Sequence, residues 1–174
     1  PRFIINIKDQ NGKLIDPVCG KKEDFADTAV AGFRNCKLAD AIKLGVNTPN
    51  TGDIVYRAWT TVGVDLRKFL NQTVTIEFET WDCGLGAHFG YAYVMARCDS
   101  LRLISAACQP NGAVSIAAPD GFAYKWFPGG QTTKSIDIVG SKPGDSVYVE
   151  LTTISGCKTA LGMRIYPIVT KANF

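Results

Sequence analysis

Val74–Cys98, VTIEFETWDCGLGAHFGYAYVMARC, decides the fold class. Val74, Ile76 and Phe78 alternate with Thr75, Glu77 and Glu79, the period of a strand that buries one face. Gly84, Gly86 and Gly90 then give a turn the backbone freedom that only glycine allows. Tyr91, Ala92, Tyr93 and Val94 read as a second, returning strand, and Cys83 and Cys98 bracket it. The turn also holds His88, the single histidine of the chain, close in sequence to Asp82. Two strands joined by a tight corner point to an all-β protein. A covalent corner needs these residues for geometry alone.

The rest of the chain extends that reading. Arg2–Ile7 alternates like a strand and leads through Asn11-Gly12, a strong hairpin signal, into Lys13-Leu14-Ile15. Periodicity then dissolves. KKEDFADT reads as a solvated charged stretch, GFRNCKLADAIKLG as room for a helical turn, and 17–53 as one long loop offering a contact surface. Ile54–Trp59 returns to strand character, Asp65–Leu70 to a bend or short helical turn, and Ser100–Ser105 to a connector strand.

Beyond Cys108 the spacing tightens. VSIAA, FAYKWF, KSIDIV, SVYVELTTI and GCKTALGMRIYPIV are separated by Pro-Asp-Gly, Pro-Gly-Gly and Lys-Pro-Gly-Asp turns. Short strands at such intervals mark a small β-sandwich, with Trp126 at its centre. The expected organisation is two β modules, one over 1–103 and one over 104–174.

Composition narrows the function. The chain has 174 residues, 46% apolar and 20% charged, with a net charge of +3, enough to bury a core. No lysine and arginine run is interleaved with aromatics, which argues against a nucleic-acid partner. No apolar run is long enough to span a bilayer. The chain begins with Pro1 in what reads as mid-strand, as expected of a piece of a longer polypeptide whose first sheet is completed by upstream strands or a neighbouring subunit.

Six cysteines, Cys19, Cys36, Cys83, Cys98, Cys108 and Cys157, with no CxxC pair, point to disulfides and an oxidising compartment. They allow 15 pairings. The sequential one, Cys19–Cys36, Cys83–Cys98 and Cys108–Cys157, keeps each loop within one structural unit.

The motifs also carry a resemblance. YRAWTTVGVDLRKFLNQTVTIEFETWDCGLGAHFGYAYVMARC, preceded by PRFIINIKDQNGKLIDPVCG, resembles a jelly-roll-like module of very large secreted Bacteroidetes proteins of the gliding-adhesin type. GFAYKWFPGGQTTKSIDI and KPGDSVYVELTTISGC are similar to the Ig-like or PKD-like repeats that follow it there. The resemblance implies a surface or secreted protein exported by the type IX system and working in adhesion. Its partners would be neighbouring modules of the same polypeptide, neighbouring subunits, or surface glycans. This chain departs from the pattern at Ala87, where the family has glycine, and at Met95, where it has aspartate. Asp27-Thr28-Ala29, Asp99-Ser100-Leu101 and Asp145-Ser146-Val147 match the D-[S/T]-apolar O-glycosylation pattern of that lineage, which makes Thr28, Ser100 and Ser146 candidate sites.

The serines lack a nucleophile-elbow context, the histidine is single, and Glu77 and Glu79 share a strand face that solvation explains. A non-enzymatic role is expected, primarily structural and adhesive. The alternative is a carbohydrate-binding module acting through Trp81, Asp82, His88 and Tyr91 in and around the 82–90 turn. Against it, Trp59, Tyr91 and Tyr93 read as core fillers. No cofactor is expected. A calcium ion held by Asp82, Asp99 and backbone carbonyls is the weaker option.

Overall fold

The computed structural model describes residues 1–45, 52–84, 90–106 and 113–166, which form eleven strands, one short α-helix and one 3-10 turn at Arg67–Phe69. The protein is all-β, with antiparallel sheets throughout. The chain clusters into two units: Pro1–Thr60 with Phe69–Arg97, and Thr61–Lys68 with Cys98–Phe174.

In the first unit β1 (Arg2–Lys8) lies between β2 (Lys21–Phe25) and β5 (Thr75–Trp81), while β3 (Phe33–Cys36) pairs with β4 (Ile54–Arg57). Helix α1 (Leu38–Lys43) follows β3. The Asn11-Gly12 turn is held by the Asp9 carboxylate, which accepts the main-chain N–H groups of Asn11 and Lys13 at 2.9 and 3.0 Å. The 17–53 stretch is not one loop: it contains β2, β3 and α1. KKEDF hides as a strand because its charges are matched on both faces. Lys22 bonds Asp24, which pairs with Arg57 of β4 at 2.8 Å. On the other face Glu23 takes Arg2 at 2.9 Å and Lys21 at 3.0 Å. Such charged edge strands resist pairing with foreign strands.

The second unit is a sandwich. One sheet runs β6 (Ile104–Ala106), β7 (Val114–Ala117), β9 (Ser135–Ile138), and the other runs β11 (Lys158–Arg164), β10 (Ser146–Thr152), β8 (Ala123–Phe127). Val147, Val149 and Leu151 of β10 point inward, alternating with Ser146, Tyr148 and Glu150, and meet Val114, Ile116 and Ile136 of the facing sheet around a fully buried Trp126. The indole N–H of Trp126 donates to the Thr133 carbonyl at 2.8 Å, so the largest core residue leaves no polar atom unsatisfied.

Residues 61–68 are tied into this unit by Asp65. Its carboxylate accepts the Arg67 guanidinium at 2.7 Å, the Arg67 main-chain N–H at 3.0 Å and the Thr159 hydroxyl of β11 at 2.8 Å. Arg67 side-chain hydrogen bonds chiefly, opposed by partial burial and reinforced by the Arg67 N–H and Thr159, hold this carboxyl down at about 2 against an ordinary 3.8. A depressed folded-state value means the stabilisation is complete above pH 4 and is lost as pH falls towards 2. We expect Asp65→Asn to flatten that part of the acid limb of stability, measured by urea denaturation between pH 5 and 2. An unchanged acid limb would show that Asp65 contributes nothing to it.

Two expectations are corrected here. Tyr91–Val94 does not form the returning strand: among the described residues, 90–103 belongs to no ladder. The six-cysteine disulfide framework fails with it. Cys36, Cys83 and Cys98 carry thiols, so neither Cys19–Cys36 nor Cys83–Cys98 forms. Cys98 lies exposed on a segment that never returns alongside β5, and Cys36 ends a strand held by main-chain pairing to Ile54. Cys19 and Cys157 are each in a disulfide. Cys108 lies outside the described residues. No helix among those residues is long and apolar enough to cross a membrane, and a disulfide is compatible with an extracellular setting.

Candidate functional site

The sheet β2–β1–β5 has two chemically opposite faces, and the β1–β5 register assigns every residue to one of them. Phe3, Ile5 and Ile7 stand across from Thr80, Phe78 and Ile76. Phe3 and Phe78 stack with ring centroids 6.3 Å apart. On the other face Arg2 stands across from Trp81, Ile4 from Glu79 and Asn6 from Glu77. Here the period-two alternation of TIEFETW places an aromatic and two carboxylates in one row.

A continuous polar network fixes that row. Asn6 is only 9% exposed, and its side-chain amide donates to Glu77 Oε2 at 3.1 Å and to Glu79 Oε1 at 2.6 Å. The other oxygen of Glu79 accepts the indole N–H of Trp81 at 3.0 Å. Glu77 also receives Lys8 Nζ at 2.8 Å. Lys8 first, then Asn6, hold the Glu77 carboxyl below its ordinary range. At the far end the Arg2 guanidinium lies 4.8 Å from the Trp81 ring centroid and bonds Glu23. Trp81 itself is 49% exposed.

This arrangement has a definite chemical capacity. A half-exposed indole offers a flat apolar plane to C–H groups, while carboxylate and amide oxygens beside it accept hydroxyl protons. Because the acceptors are already oriented by one another, a polyol would meet them with little ordering cost.

The structure reorganises the site anticipated from sequence. Trp81 is at the heart of this face, but its neighbours come from β1 and β5. The Asp82 carboxylate accepts the main-chain N–H of Cys83 at 2.7 Å. Tyr91 is 71% exposed and packs edge-on against Tyr93, with centroids 5.7 Å apart. His88 lies outside the described residues. Trp59, Tyr91 and Tyr93, read as core, are exposed. Arg2 and Asn6 were missed because only strand register brings them to Trp81. Glu77 and Glu79 were visible as a same-face pair but read as solvated.

Thr28, Ser100 and Ser146 are all exposed, Ser146 as the first residue of β10. Asp82 and Asp99 join no group of three or more metal-ligating side chains among the described residues. Comparison with known proteins found no matching family model, no matching curated protein and no matching solved structure.

Proposed function

We propose that this chain is a non-enzymatic adhesive module of an extracellular or cell-surface protein, a jelly-roll-like sandwich followed by an Ig-like one, and that it adheres by holding glycans on the polar face of β1 and β5. The observation that carries this reading is the Trp81–Glu79–Asn6–Glu77 row, in which an exposed indole is hydrogen-bonded to a carboxylate that is itself oriented by a buried amide. The composition and a disulfide are compatible with the extracellular setting, and the motif resemblance to gliding-adhesin-type proteins points the same way. The runner-up, a purely structural spacer, has no use for a pre-oriented aromatic and acceptor row.

The test is titration of the intact chain with a panel of soluble polysaccharides, read by tryptophan fluorescence and by calorimetry. Trp81→Ala is expected to weaken binding at least about tenfold, or about 1.4 kcal/mol. Asn6→Ala is expected to weaken it as well, because Glu77 and Glu79 lose the amide that orients them. Chelation with EDTA is expected to leave the affinity unchanged. A panel without binders, or binders indifferent to Trp81→Ala, would remove the glycan reading and leave the spacer.

A further inference from the structure

Each three-stranded sheet of the second unit ends in two outer strands, and β9 is one of them. Among the described residues β9 pairs only with β7, with Ile136 across from Ile116 and Ile138 across from Val114. The Ala118 N–H bonding the Lys134 carbonyl at 3.0 Å continues the same ladder. In an antiparallel ladder alternate residues turn both main-chain groups towards the partner. Residues 134, 136 and 138 therefore face β7, and Asp137 and Val139 present their N–H and C=O groups on the opposite side.

Beside that edge lies a groove of about 430 Å³ between β9 and the start of β10. Its floor is apolar, from Ile136, Ile138, Val147 and Ile165, and its rim carries Asp137 and Asp145. Asp137 has no ion-pair partner among the described residues. A groove bounded by open strand backbone, with an apolar floor and an acidic rim, suits an extended segment with apolar residues at alternate positions and a cationic end.

The chain itself carries such a segment. Tyr91-Ala92-Tyr93-Val94-Met95-Ala96-Arg97 has strand-like alternation, yet lies in no ladder among the described residues. Its apolar residues face solvent, with Tyr93 79% and Met95 83% exposed. We propose that residues 91–97 of a second copy of this chain lie along β9 in this groove, adding a strand to the β6–β7–β9 sheet. Tyr93 and Met95, two apart and therefore on one face, fill the apolar floor, and Arg97 at the end of the same row reaches Asp145 at the rim. Donor segment and acceptor groove are different surfaces, so the contact is heterologous. One-way donation extends from copy to copy, and reciprocal exchange between two copies closes a dimer. This goes beyond the glycan face, shares no residue with it, and fails or holds independently of it.

The experiment is sedimentation velocity of the intact chain across a hundredfold concentration range, with thiols alkylated so that disulfide exchange contributes nothing. The unmodified sequence is expected to show mass rising with concentration above the monomer, to a dimer or beyond. Met95→Asp, which changes only the donor, and Asp137→Pro, which removes one outward N–H from an edge position that tolerates proline, are each expected to sediment as monomers. Val139→Pro, at the other residue whose N–H faces outward, replaces the Asp137 variant should circular dichroism show that one misfolded. Mixing the donor variant with the groove variant leaves one intact donor and one intact groove, so association is expected to return and stop at two chains. A chain monomeric at every concentration, association surviving both variants, or a mixture that stays monomeric would each overturn the proposal.

Discussion

Trp126→Ala is expected to cost the second unit about 3–5 kcal/mol, the range for emptying a large aromatic site in a packed core. Trp126 is fully buried at the meeting point of β7, β8, β9 and β10. Its removal takes away the contacts of Ile116, Val149 and Leu151 together. It also removes the hydrogen bond in which the indole N–H meets the carbonyl of the exposed Thr133 at 2.8 Å. For a unit of this size the loss corresponds to a fall in Tm of at least about 12 °C. Trp126→Phe keeps much of the volume and loses the hydrogen bond, so it should fall well short of the alanine variant. Hydrogen exchange at Val149 and Leu151 reports on this unit specifically. Protection unchanged in the alanine variant would mean that the core does not depend on Trp126.

Gly121→Ala is the second large effect, and a neighbouring comparison isolates its cause. Gly121 and Gly144 share a φ of +92°, so alanine pays the same left-handed backbone penalty at both, about 1–2 kcal/mol. The space differs. At Gly144 a Cβ meets nothing within 4 Å, whereas at Gly121 it would lie 2.4 Å from the Gly63 nitrogen and 2.8 Å from the Val62 carbonyl carbon. Those are backbone atoms, and no rotamer change relieves them. The Gly63 N–H also donates to the Gly121 carbonyl at 2.9 Å, and the Phe122 ring covers the place where a Gly63 Cβ would stand. Alanine at 121 must therefore push the 61–68 segment away, breaking that bond and loosening the Asp65–Thr159 contact. The expected cost exceeds that of Gly144→Ala by at least about 2 kcal/mol, in line with overpacking against a rigid neighbour. Equal urea midpoints for the two variants would show that the crowding is relieved at no cost.

How far the sequence carries is clearest where these two predictions sit. The strands from VSIAA to GCKTALGMR were legible because alternation and turn residues agree there at every step, and Trp126 announced itself as the one large filler in that run. The Gly63–Gly121 contact was not legible. Both are glycines, 58 positions apart, and only the folded chain brings their backbones together. The first unit was harder. KKEDF reads as solvent-facing because charge ordinarily stays in water, yet Asp24 finds Arg57 and Glu23 finds Arg2, and paired charges can line a strand. YAYVMAR reads as a returning strand for the converse reason. Its pattern suits a sheet, but pattern does not supply the partner.

The candidate site divides the same way. The period-two alternation of TIEFETW, a local property, sets Glu77, Glu79 and Trp81 in one row once the segment is a strand. Which side chains stand beside that row depends on the register between β1 and β5, a choice made across more than seventy residues of chain. Sequence alone determined the all-β class, the strands of the second unit and the row of β5, because each follows from local steric and hydrophobic periodicity. Only the tertiary structure decided that Asn6 and Arg2 complete the site, that Cys36 and Cys98 remain thiols, and that β9 keeps an open edge. Each of those rests on which distant segments meet, and contact between distant segments is settled by packing and pairing over the whole unit rather than by any stretch read on its own.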